Sequence, residues 1–186
     1  MIRAVAAGVL AALAATGVAS ASDPPVRPCS TRAEIGHPVG GPDRDDVRAG
    51  PIFFAGAKRL ADLPAAAFRP RRGETHAFMK LAVIARARTR ATVVIGRPHR
   101  SVAGLAYRRD DPPRAPFTVA NGGAAMRFRA CRRDQRAFSY SGTVGSWTVF
   151  TGGFLLTGPA CVPVEVRERE RVHRATLSFG AGDCPT

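Results

Sequence analysis

The chain has 186 residues, 45% of them hydrophobic, with 28 Lys+Arg against 14 Asp+Glu and a formal net charge of +14. Such a length suits one domain with a full core and excludes a peptide held together only by its staples. The basic surplus attracts anionic polymers and membrane surfaces, in a way that salt weakens.

Arg3 supplies a positive start, Ala4 to Val18 form a short apolar run, and Ala19-Ser20-Ala21 place small residues where a signal peptidase cuts. Residues 1–21 therefore read as a signal peptide, cleaved after Ala21, and the chain as secreted, extracellular and soluble. An uncleaved anchor competes, but the run is Ala-rich and barely reaches the ~20 residues of a bilayer span. Lipidation of Cys29 is disfavoured because Val26-Arg27-Pro28 precedes it instead of an apolar run ending in small residues. Removal of the leader takes Arg3 away and leaves the charge at +13. Lys58 and Lys80 are the only lysines, a skew towards Arg that GC-rich coding also produces.

From Ser22 to Gly50 no apolar period is sustained, so residues 22–49 are expected to be an irregular lead-in to a domain at 50–186. Pro51 to Gly56 reads as a strand, and Leu60 to Pro70 as an Ala-rich connector with room for one helical turn between Pro64 and Pro70. In Thr75 to Arg88 the residues Ala77, Met79, Leu81, Val83 and Ala85 share one phase, opposite Lys80, Arg86 and Arg88. Helix competes there on propensity, but the period of two fits the whole run better. Ala91 to Ile95 and Val102 to Tyr107 are short strands, Asp110 to Pro116 is a Pro-rich loop, and Asn121-Gly122-Gly123 is a turn. Met126 to Cys131 alternates. Ser146 to Thr157 is a strand pattern in which Gly152-Gly153 predicts a bulge or a sharp bend. Val162 to Val166 and Leu177 to Phe179 alternate again, and Gly180-Ala181-Gly182 ends the pattern.

Seven or eight short strands between turn residues, without a long helix, predict an all-β fold. The first choice is an antiparallel two-sheet sandwich of immunoglobulin-like type, with a jelly roll or small barrel as the alternative. The segments Met126-Arg-Phe-Arg-Ala-Cys131, Phe154 to Val166 and Leu177 to Cys184 resemble uncharacterised small secreted proteins of high-GC Gram-positive bacteria. That resemblance implies a compartment and a fold, and it carries no catalytic residue.

No catalytic motif stands out. Gly145-Ser146-Trp147 does not match G-x-S-x-G. His37, His76, His99 and His173 are far apart, without the close spacing of a metal site, and no metal or cofactor is assigned. Asp43-Arg44-Asp45-Asp46 lacks the glycine and distal Glu of a calcium loop and reads as an acidic turn. Trp147, Phe150 and Phe154 could form a stacking platform, against the commoner role of aromatics as core. The arginines carry the one functional hint. Arg86, Arg88 and Arg90 share a phase, as do Arg127 and Arg129, and again Arg167, Arg169 and Arg171. If their strands lie in one sheet, a period of two turns the three sets outward as a guanidinium ladder able to grip phosphate or carboxylate.

The expected function is a secreted, non-enzymatic module that binds anionic cell-surface polymer or a membrane surface through that face, without specific nucleic-acid recognition. A secreted hydrolase or lyase, with a site assembled only in the fold, is the alternative. The four cysteines, Cys29, Cys131, Cys161 and Cys184, are expected to form two disulfides, since no C-x-x-C pair suggests zinc. Cys131 and Cys161 stand at strand ends, Cys29 and Cys184 near the two tails. The pairing expected is therefore Cys131–Cys161 and Cys29–Cys184.

Overall fold

The period-two runs form strands throughout the computed structural model, which describes residues 23–29, 41–107, 122–135 and 145–185. The signal peptide, His37, the Pro-rich loop at 110–116 and Asn121 lie outside the described residues. Twelve strands are present among the described residues: β1 (Val26–Pro28), β2 (Val47–Ala49), β3 (Ile52–Phe54), β4 (Ala77–Lys80), β5 (Val83–Arg86), β6 (Arg90–Ile95), β7 (Ala103–Ala106), β8 (Ala125–Arg129), β9 (Trp147–Phe150), β10 (Gly153–Leu156), β11 (Ala160–Glu168) and β12 (Arg171–Phe179). Ala57–Leu60, Ala65–Phe68 and Arg97–His99 are 3-10 turns, the second of them bounded by Pro64, and no α-helix occurs among the described residues. The fold is all-β, and no helix among these residues is long and apolar enough to cross a membrane.

The strands form a five-stranded sheet in the order β1-β8-β6-β11-β12, a three-stranded sheet β4-β10-β7, and a four-stranded sheet β2-β3-β5-β9. All pairs are antiparallel except β1 with β8. The two smaller sheets are continuous with each other. Val83 faces Phe150 in the β5–β9 ladder and Lys80 faces Gly153 in the β4–β10 ladder, so both strands advance by three residues and the register is kept. Leu81 N donates to Gly152 O at 3.0 Å in between. Gly152-Gly153 is thus a bend without an inserted residue. The backbone crowds there: a Cβ on Gly153 would lie 2.1 Å from Met79 O, and one on Gly152 2.7 Å from Ala106 O. Only glycine fits.

Alternation decides which side chains enter the core. Ala77, Leu81, Val83 and Ala85 are buried across the β4–β5 run, which is the phase expected for strand and one that a helix would scatter. Ala91, Val93 and Ile95 from β6, Met126 and Phe128 from β8, and Val162, Val164 and Val166 from β11 belong to the same core cluster. Rings cross between the sheets: Phe128 meets Phe150 at 5.0 Å, and Phe154 meets Phe179 at 5.1 Å. The five-stranded sheet therefore packs on the other two around one core, an arrangement consistent with a β-sandwich.

Within residues 22–49 the described stretches contribute the short strands β1 and β2. One expectation is corrected. The disulfides are Cys29–Cys131 and Cys161–Cys184, with Cα separations of 5.0 and 5.7 Å, and not the expected Cys131–Cys161 and Cys29–Cys184. The sheet order gives the reason. β6 lies between β8 and β11, and extending both ladders along it sets Cys131 level with Arg88 and Cys161 level with Pro98. These are opposite ends of the sheet, on the order of 30 Å apart, where a bridge needs Cα atoms within about 7 Å. Cys29 and Cys131 instead follow the paired ends of the parallel strands β1 and β8. After β12 the chain reverses through Gly180 and Gly182, both at positive φ, and returns Cys184 to Cys161.

Candidate anion-binding face

The outer face of the five-stranded sheet is built by the residues that alternate with the core valines and phenylalanines. Arg90 on β6 stands directly opposite Arg129 on β8, both exposed. Arg127 faces Thr92, and Thr92 faces Arg167 on β11, so a row crosses three strands. Arg174 on β12 faces Glu165 on β11. Five guanidiniums from four strands thus share one face.

Two carboxylates answer them. Glu165 accepts from Arg167 Nη2 at 2.8 Å and from Arg174 Nε at 3.3 Å. Its hydrogen bond with Arg167 first, and then the one with Arg174, hold its carboxyl below the usual range. Asp23 Oδ1 lies 3.4 Å from Arg127 Nη2 at the exposed start of the described chain. Among the described residues Arg90 and Arg129 have no carboxylate partner. Directly opposed like charges weaken a strand pair, so this pair leaves a local demand for an anion.

The sequence-derived arginine set is only partly brought together. Arg90, Arg127, Arg129 and Arg167 share the face. Arg86 ends β5 in the other layer, and Arg88 lies in the turn from β5 to β6 with φ 68°. A continuous strand over 86–90 would have aligned all three, but the chain changes sheets there. Arg169 sits in the β11–β12 hairpin loop at φ 52°, and Arg171 opens β12 opposite Glu168, off the outer phase. Arg174 was missed because the last strand was read only from Leu177. Its signal was present, since Arg174, Thr176 and Ser178 are the polar phase opposite Leu177 and Phe179.

Compared with known proteins, the chain matches no family model, no curated protein and no solved structure.

The remaining sequence candidates separate in space. Phe150 and Phe154 are fully buried in the core cluster, whereas Trp147 is partly exposed on the outer face of the four-stranded sheet, so the three do not form one platform. The acidic turn spends its carboxylates internally: Asp43 Oδ1 accepts from Asp45 N at 2.8 Å, and Asp46 accepts from Gly56 N at 2.7 Å and from Asp43 N at 3.0 Å. His76 is buried beside Thr75 Oγ1 at 2.8 Å, and burial lowers its pKa. His99 lies in a 3-10 turn and His173 on β12. Among the described residues no group of three His, Cys, Asp or Glu side chains is placed to hold a metal ion. A groove of about 730 Å³ opens beside the arginine face and shares Glu165 and Arg174 with it; Lys58, Asp62 and Asp183 also line it. Its charges are mixed.

Proposed function

We propose that this chain is a secreted, non-enzymatic β-sandwich module of immunoglobulin-like type. It binds anionic polymers of the cell surface through Arg90, Arg127, Arg129, Arg167 and Arg174. The observation that carries this reading is the cross-strand pair Arg90–Arg129, two exposed arginines directly opposite each other in register, neither with a carboxylate partner among the described residues. Planar guanidinium forks accept carboxylate or phosphate oxygens two at a time, and a charged face of this width suits a polymer with repeating anions. The two disulfides are compatible with an oxidising compartment, which supports export. The resemblance of the C-terminal third to small secreted bacterial proteins points the same way.

Retention of the chain from Ser22 onward on immobilised heparin tests the reading. Binding is expected at low ionic strength, with release between roughly 50 and 200 mM salt as counterions replace the arginines. Absence of retention at low salt contradicts the proposal. Retention that ignores salt also contradicts it, and assigns binding to contacts other than exposed charge, such as those in the groove beside β12. Tighter capture by anionic vesicles than by the polymer at equal charge would make the ligand a membrane surface instead.

A further inference from the structure

The outer face of the four-stranded sheet carries a second, differently built set of arginines. Arg48 on β2 stands opposite Phe53 on β3, and Arg86 on β5 stands opposite Trp147 on β9. Each guanidinium lies over the ring it faces, 5.4 Å from the centroid of Phe53 and 5.6 Å from that of Trp147. The two rings meet edge to face at 5.6 Å. Ile84, opposite both Phe53 and Val149, is only 3% exposed although it lies outside the core cluster, so this face has an apolar floor of its own. A ring beneath a guanidinium fixes its plane while leaving its N–H edge available for an acceptor. Arg48 spends Nε on Gly50 O at 3.0 Å, and Arg86 has no carboxylate partner among the described residues. The four strands contain no Asp or Glu. Two strand spacings and an offset of two residues separate Arg48 from Arg86, which places their Cα atoms about 12 Å apart. That span is too wide for one small anion to bridge and suits successive acidic groups on an extended chain.

We propose that this strip is a second ligand site, which takes the carboxylates of an acidic polysaccharide laid across β2, β3, β5 and β9. Arg48 and Arg86 each grip one carboxylate, and the rings beneath hold the forks in plane. Charge complementarity selects an anion, and the planar fork with a flat apolar floor favours carboxylates on a sugar chain. A membrane surface fits less well, because the aromatic rings are half-buried beneath the arginines and do not project. The site does not rest on the arginine face of the five-stranded sheet. The inward residues of both sheets share one core, so the two faces point away from each other.

Trp147 is the only tryptophan in the chain, so its emission reports this face alone. The chain is titrated with polygalacturonate at low salt while tryptophan fluorescence is followed. A saturable change is expected, absent with neutral dextran, at least tenfold weaker in R48A/R86A, and within twofold of wild type in R69A/R72A, which loses equal charge at exposed positions outside both faces. R48K/R86K keeps the charge but loses the fork, and is expected to weaken the titration several-fold; it decides the matter if the alanine pair does not fold. The proposal is overturned if R48A/R86A titrates like wild type, or if R69A/R72A weakens the titration as much as R48A/R86A does. It is also overturned if phosphatidylglycerol vesicles produce the same change at a lower concentration of charge.

Discussion

Tyr107 joins the layers through a single side chain. It is 1% exposed, its ring packs edge-on against Phe128 at 5.2 Å and Phe154 at 6.3 Å, and its hydroxyl donates to Leu81 O at 2.5 Å. Leu81 sits at the bend between β4 and β5, so this bond satisfies a carbonyl that the interrupted ladder would otherwise strand. Y107F is expected to cost about 1–2 kcal/mol at pH 7, which chemical denaturation measures. Burial also raises the Tyr107 pKa above its ordinary value of 10. Because the folded value is the raised one, the stability it contributes is whole below pH 10 and declines above it, by up to about 1.4 kcal/mol per pH unit as the unfolded chain loses the proton first. The difference between wild type and Y107F should therefore shrink above pH 10; a constant difference would contradict this assignment. Little of this role was readable in advance. Tyr107 closed a short apolar run, and nothing local indicates that its hydroxyl reaches a carbonyl 26 residues away.

At the scale of elements, the bridges secure two kinds of edge. Cys29–Cys131 pins the three-residue strand β1 to β8, across a separation of 102 residues. Cys161–Cys184 pins the tail after β12 to β11, across 23 residues. In the chain-entropy model these loops stabilise by about 4.7 and about 3.4 kcal/mol, as upper figures. C29A/C131A is expected to lower Tm more than C161A/C184A, by about 2–4 °C for each kcal/mol lost, as a thermal scan would show. An equal or reversed order would contradict the entropic ranking. The strands were readable wherever alternation ran for five residues or more, as at 126–130 and 162–166. β1 and β2 were not, because three residues carry no period; β1 owes its order to β8, far along the chain, and β2 to the neighbouring β3 across Gly50. The same blindness misdirected the cysteine pairing, since a strand end is visible in sequence while its neighbour in the sheet is not.

For the whole molecule, one core separates two basic outer faces of different character. On the five-stranded sheet the arginines stand in cross-strand rows and are partly answered by Glu165 and Asp23. On the four-stranded sheet they lie over aromatic rings. The alternation of Arg127 and Arg129 with Met126 and Phe128 made two of the five arginines of the first face readable from sequence. Arg86 and Arg88 misled, because a turn between sheets can imitate a period of two. The most direct test of the arginine face is the slope of log K against log salt for heparin binding, measured on wild type, on R90A/R129A, and on R69A/R72A as a control of equal charge loss at exposed positions. The slope should fall in magnitude by about one to two in R90A/R129A and by under about 0.5 in the control. Equal slopes for the two variants would mean that net charge alone draws the polymer, and would contradict a built face.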